Sequence, residues 1–399
     1  MSLNRYLKSR CASKFRYHHC FSFKVLAALL QYYALWSSGL NSQRLLLLSF
    51  PLSIDQRLLI MPNNETRAPS KSEVESLFSL YNAGDFFGAG SFCRNLLKTY
   101  PDSALVSNML GVIYMAQGKP TAALVAYENT IKKNPYYPDA YNNFGILLNS
   151  LGRFGEAIDK FRKAVQLDPD YSDALNNLGA TLQNLNQHEQ ALTHLSRAIT
   201  LNPNNPLAFF NYANSLKATG KKNAALESYD RAVNLHPSFS LAFNNRGNLL
   251  ESMARYEESR RSYTRAIELD PGYARAYSNR GVVEKKLGNY PGARRDFGNA
   301  VDLDPWRPEE PKDDSNFKFR LYINLGDIQM YFKEFDKALA TYDRATKIDP
   351  NNLDVAGFKG NAVAALGNLR EGLQLRQESF GVVSFDISKG VSIIHGQTK

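Results

Sequence analysis

From residue 70 onward, apolar and small residues recur at helical spacing, and the pattern itself repeats. Between Pro138 and Tyr171, the residues Tyr141, Phe144, Gly145 and Leu148 fall on one face of a first helix, which Gly152 breaks. Ala157, Phe161 and Ala164 then follow at spacings of four and three in a second helix that Pro169 ends. The same slots hold Leu178, Gly179, Ala191, Leu195 and Ala198 one unit later, and Tyr277, Gly281, Ala293, Phe297 and Ala300 three units after that. Prolines mark the period: Pro101, Pro135, Pro169, Pro203, Pro237, Pro271 and Pro305 stand 34 residues apart, and Pro350 follows 45 residues further on.

Each unit therefore reads as a helical hairpin. Gly145 and Ala157 remove bulk where its two helices approach, and Tyr141 and Phe161 present apolar faces that one hairpin alone cannot bury. Stacking on neighbours follows, giving an all-α solenoid over 70–372 of about eight and a half hairpins. The 11 extra residues before Pro350 place an exposed acidic loop at 306–318, with Pro308, Glu309, Glu310, Pro311, Asp313 and Asp314.

The succession of aromatic, Leu-Gly and Leu, then Ala, aromatic, Ala and Pro, resembles the tetratricopeptide repeat family over residues 70 to about 372. That resemblance implies a right-handed superhelix with first helices lining a concave surface and second helices facing outward. Three departures stand out. The first unit has Ser76 and Leu77 in place of Leu-Gly and Cys93 in the aromatic slot, as suits a capping hairpin. Arg246 and Arg280 replace the Leu before Gly, which predicts weaker local burial. The unit from Leu353 to Gly372 keeps its first helix and then loses the pattern.

A hydrophobic content of 44% with 22% charged residues is that of a folded soluble protein. The net charge of +10 is not spread evenly. Residues 1–60 hold eight Lys or Arg and a single acid, Asp55, so most of the excess lies there and no nucleic-acid footprint remains for the repeats. In residues 1–61 a basic stretch precedes the apolar run Val25–Leu30, the order of a signal or transit segment; Met61 as the true start is the other reading, with 62–69 a polar linker. Association with a membrane, or delivery to an organelle, rests on that leader being retained; otherwise the expected location is cytoplasmic. Cys11, Cys20 and Cys93 form no Cys-x-x-Cys pair, so neither a disulfide framework nor a zinc site is indicated, and no cofactor is called for.

On the first helices, the stripe away from the core runs Asp139, Asn143, Ile146 and Ser150 in the third unit. Its second slot is Asn143, Asn177, Asn211, Asn245, Asn279 and Asn324 in six successive units. Asn is a mediocre helix former, so its return in mid-helix asks for a reason. A carboxamide donates and accepts, which suits the main chain of an extended polypeptide. The row resembles the asparagine ladders of the O-linked N-acetylglucosamine transferase repeats and of armadillo-type importins, where such amides hold an extended peptide. The competing reading is repeat habit, with each amide satisfied by water or by a neighbouring helix. The rest of the stripe is apolar in the second unit (Leu105, Met109, Val112, Ala116), polar in the middle (Asn184, Asn214, Asn248), and cationic later (Arg275, Lys286, Arg320). This grading predicts a protein partner bound through an extended segment, apolar toward one end and acidic toward the other. Modules of this family that clamp chaperone tails use Lys and Arg where this chain has Asn142, Asn176 and Phe210, so chaperone-tail binding is not expected.

No phosphate loop or nucleophile elbow is legible, and the chain is read as a scaffold rather than an enzyme. Beyond 372, the alternation from Gly381 to His395 around Ser388-Lys389-Gly390 signals a short strand hairpin in a tail over 373–399. Two strands do not stand alone. This leaves an alternative function: the substrate-targeting arm of a larger glycosyltransferase or sulfotransferase.

Overall fold

The computed structural model describes residues 68–304, 315–380, 383–386 and 390–393. The leader and almost all of the linker therefore lie outside the described residues. The described chain divides into two compact units between Leu185 and Asn186.

In the first unit, α1 (Lys71–Asn82) pairs with α2 (Phe86–Thr99), α3 (Ala104–Ala116) with α4 (Pro120–Lys133), and α5 (Pro138–Ser150) with α6 (Phe154–Leu167), followed by α7 (Ser172–Asn184). The second unit begins with α8 (His188–Leu201). Its hairpins are α9 (Pro206–Ala218) with α10 (Lys222–Leu235), α11 (Ser240–Ser252) with α12 (Tyr256–Leu269), and α13 (Ala274–Lys286) with α14 (Tyr290–Leu303). Two more follow, α15 (Ser315–Tyr331) with α16 (Phe335–Ile348) and α17 (Leu353–Ala365) with α18 (Leu369–Phe380). Within each unit every second helix packs on the next first helix, so the fold is an all-α repeat of stacked hairpins. Strands β1 (Val383–Asp386) and β2 (Gly390–Ile393) pair antiparallel, Val383 opposite Ile393. No helix among the described residues is long and apolar enough to cross a membrane.

Six of the hairpins close on a ring. Tyr127, Phe161, Tyr229, Tyr263, Phe297 and Tyr342 are at most 1% exposed, and each lies in the same slot of a second helix. Opposite stands a small residue of the first helix. A Cβ placed on Gly145 would lie 2.7 Å from Phe161, and one on Gly247 2.5 Å from Tyr263, well inside van der Waals contact. Ala213 fills this slot against Tyr229. The first hairpin exchanges the sizes: Leu77 takes the glycine slot and Cys93 the ring slot, both buried. Burial of each ring contributes about 1.5–3 kcal/mol, and burial also raises the pKa of the Tyr127 and Tyr342 hydroxyls.

The turn inside each hairpin carries one residue in the left-handed region, at Gly84, Gly118, Gly152, Asn186, Gly220, Ala254, Gly288, Lys333 and Gly367. Glycine reaches this conformation without a Cβ clash, whereas Ala254, at φ 57°, and Lys333, at φ 59°, do not.

The chain between α14 and α15 is longer than its counterparts. Of the expected loop at 306–318, Ser315–Lys318 form the first turn of α15, and residues 305–314 are not described. Lys318 is buried and its Nζ lies 2.9 Å from Asp304 Oδ1, at the end of α14, which joins the two ends of the insertion. At the other end of the repeat array, α18 runs past 372 to Phe380, although the repeat pattern fades there. Gly360 and Gly372 let α17 and α18 meet backbone to backbone, since a Cβ on either would lie 2.6 Å from the other's carbonyl oxygen.

Arg246 and Arg280, with side chains 21% and 14% exposed, are less buried than Leu110 and Leu178 of the same slot, as their polarity predicts, but each is held by bonds to the second helices on both sides. Arg246 reaches back 16 residues to Asp230 (2.6 Å) on α10 and forward 16 to Ser262 (2.6 Å) on α12. Arg280 repeats the geometry with the partner types exchanged. It donates to Thr264 behind it and makes two bonds, 2.7 and 2.8 Å, to Asp296 on α14 ahead. Asp296 is fully buried. Burial works against the charge on Arg280, but the bonds to Asp296 outweigh it and raise the pKa of the guanidinium.

Ala254→Gly should raise stability by about 0.5–1 kcal/mol, read as a higher urea midpoint, because it removes the left-handed strain. Arg280→Leu should cost about 3–5 kcal/mol by stranding the Asp296 carboxylate. Arg280→Leu with Asp296→Ala reproduces the Leu110 and Ala126 pair of the second hairpin and should recover most of that loss in thermal melts.

Candidate functional site: the amide row of the first helices

The six ladder asparagines all lie in first helices and none is highly exposed, but their setting differs from a free wall. In the first unit Asn143 Nδ2 donates to Asn108 Oδ1 at 3.2 Å, and Asn177 Nδ2 to Asn142 Oδ1 at 3.0 Å. Each acceptor belongs to the preceding first helix and is buried, Asn108 at 3% and Asn142 at 4%. Asn184 donates in the same direction to Asn149 at 3.4 Å.

The second unit carries the fuller network. Asn245 Nδ2 donates to Asn214 Oδ1 at 3.3 Å, and Asn279 Nδ2 donates to both Asn244 Oδ1 and Asn248 Oδ1 at 3.0 Å. The Asn214 and Asn248 oxygens also accept from the second helix of their own hairpins, from the hydroxyls of Tyr229 and Tyr263, the latter at 2.7 Å. In α15 the slot equivalent to Asn248 is Asp327, which accepts from Tyr342 at 3.0 Å. Asn211 is buried and Asn324 half-buried. The core ring, the carboxamide over it and the next helix's carboxamide thus form one continuous chain of bonds.

Sequence reasoning missed the buried acceptors Asn108, Asn142 and Asn244. The Asn-Asn doublets at 142–143 and 244–245 carried the signal for Asn142 and Asn244, whereas Asn108 has no asparagine beside it. The competing reading of the ladder, amides satisfied by a neighbouring helix, accounts for at least one N–H of Asn143, Asn177, Asn245 and Asn279.

The proposed grading of the wall changes more. Met109, in the ladder slot of α3, is 1% exposed and belongs to the core, as does Ile146 of α5 at 4%. Among the cations, Lys286 Nζ lies 3.0 Å from Glu251 Oε1 and 5.2 Å over the Tyr256 ring. Lys285 pairs with Asp327 at 3.1 Å. Burial lowers the Lys217 pKa against the opposing pull of Glu251. The later charges therefore alternate in sign and largely satisfy one another. Arg275 is exposed, with its guanidinium 4.7 Å over the Phe317 ring, and Arg320 is exposed at the corresponding slot of α15.

Stacked hairpins whose first helices are joined by carboxamide bonds define a helical-repeat protein. Family profiles described as tetratricopeptide repeat match residues 80–138, 108–172, 172–205, 194–227 and 319–352, and one described as TPR repeat matches 255–288. Together they span more than half of the chain, which belongs to the tetratricopeptide repeat family. Its repeats serve as protein-interaction scaffolds and are generally non-catalytic. No curated protein sequence matches.

Among solved structures, the APC/C hetero-tetramer Cut9-Hcn1 is 16% identical, with a TM-score of 0.53 over 73% of this chain and 55% of that one, a likeness of fold. MamA is 24% identical over 40% of this chain and 94% of its own, with a TM-score of 0.38. YrrB, a TPR protein with an unusual peptide-binding site, is 25% identical over 45% and 93%, with a TM-score of 0.39.

Asn279→Ala removes two amide bonds between α11 and α13 and leaves the buried Asn244 oxygen without that donor. It should lower stability by about 1–2 kcal/mol in urea unfolding.

Proposed function

We propose that the chain is a protein-interaction scaffold that holds extended polypeptide segments along the first-helix face. In the second unit that face is built by Asn211, Asn245, Asn279 and Asn324, with Asn214 and Asn248 beside them; Asn143 and Asn177 form the equivalent row of the first unit. The observation that carries this reading is the state of Asn279. Both of its N–H bonds go to the preceding helix, so its half-buried carboxamide is fixed in place with its carbonyl oxygen as the remaining group. A held carbonyl is a ready acceptor for the N–H of an extended main chain, and its rotamer entropy has already been lost on folding.

The pairing of Lys285 and Lys286 argues for a segment recognised mainly through its backbone and not through charge. Arg275 and Arg320 add a preference for an acidic residue near the starts of α13 and α15.

The test is a peptide array probed with the full chain and with Asn245→Ala/Asn279→Ala/Asn324→Ala. The triple variant should lose about tenfold or more in binding across unrelated sequences, with helical circular dichroism retained. Equal binding by the two proteins removes the amide row as the binding element.

A further inference from the structure

Past Asn324 the ladder slot changes chemistry. In α17 it is Phe358, a half-buried ring stacked on Tyr342 at 5.7 Å and 20°. The neighbouring slots change with it. Val282 of α13 stands where α9 and α11 have Asn214 and Asn248. In α15, Ile323 stands where α11 has Asn244, and Met330 where α9 and α11 have Lys217 and Glu251. Val282, Ile323, Met330 and Phe358 are all partly buried against one core cluster and retain accessible surface. Next to Met330, Tyr331 is 57% exposed and lies flat on Tyr290, with ring centroids 4.0 Å apart. The face that carries amides and paired charges in α9 and α11 thus becomes a largely apolar shelf by α15 and α17, where Asp327, held by Lys285 and Tyr342, stands between Ile323 and Met330.

We propose that this shelf seats a large apolar side chain, an aromatic ring foremost, of the same extended segment that the amide row holds. The inference rests on the reading of the amide row given above. Continuity of slot names the occupant: Asn279, Asn324 and Phe358 are equivalent positions on successive first helices, so a main chain following the amides runs on to the ring. Neighbouring helices pack about 8–10 Å apart and an extended chain advances about 3.3 Å per residue, so each hairpin corresponds to about three residues of ligand. The anchored side chain therefore lies about three residues beyond the one at Asn324, at one end of a segment of about twelve. Which end it is depends on the direction of the chain. A thioether and flat rings adapt to an aromatic guest more readily than to a branched one, and Val282, Ile323, Met330 and Phe358 carry no charge.

The probes are four fluorescein-labelled dodecapeptides of Ser, Thr and Gln. One has no aromatic residue, and the others have a single Phe near the amino end, in the middle or near the carboxyl end. Binding to the full chain is measured by fluorescence anisotropy. One terminal-Phe peptide should bind about tenfold more tightly than both the Phe-free and the middle-Phe peptides. Phe358→Ala and, separately, Met330→Gln should each reduce that preference while leaving the Phe-free peptide unaffected, with thermal melts reporting that both variants fold.

Equal affinity for all four peptides overturns the shelf and leaves the amide row standing. A preference that survives in both variants overturns it as well. If no peptide binds, both readings fall. A Phe preference that persists in the triple Asn→Ala variant, with no loss for the Phe-free peptide, supports the shelf and removes the amides.

Discussion

The fold depends on an aromatic ring pressed against a helix backbone. In each complete ring-bearing hairpin, a Tyr or Phe of the second helix enters the space that a glycine or alanine leaves on the first, and is removed from water. This fixes the distance between the two helices. It also fixes which faces remain apolar and open, and those faces are what the next hairpin covers. The first hairpin reaches the same closure by moving volume from one helix to the other, with Leu77 against Cys93. What is conserved within the chain is the filled space rather than the residue types that fill it.

The amide row is an extension of that contact. Where the ring is a tyrosine with an amide above it, as at Tyr229 and Tyr263, its hydroxyl donates to Asn214 or Asn248, and the same oxygen accepts from the next helix. Core packing and surface chemistry are then one network. A ligand at these amides meets groups whose positions are set by the hairpin interior, and the same bonds contribute to stacking. Arg246 and Arg280 connect second helices in a comparable way, each spanning three helices through partners 16 residues to either side.

Much of the fold was legible because repetition makes its own signal. Equal proline spacing, the Gly and aromatic slots and the turn positions all follow from periods of 34 and of about 3.6 residues. The candidate site was legible only in part. The slot that holds Asn143 to Asn324 is a matter of spacing, whereas the engagement of each amide depends on an oxygen about 31 or 35 residues earlier. The fate of Met109 and of Lys286 was not legible. A helical wheel assigns a face, but whether that face is covered, or its charge paired, depends on a neighbour.

The sequence by itself determined the helical hairpins, their period and the apolar stripe on which they stack, because these depend on local geometry and on covering faces that a single hairpin leaves exposed. Tertiary structure alone decided which polar groups are internal. Asp296 became a fully buried carboxylate because Arg280 reaches it, and Asn108, Asn142 and Asn244 became buried acceptors because the next helix supplies their donors. A buried polar group is tolerable only with its partner in place, and the partner's position is a property of stacked helices rather than of one helix.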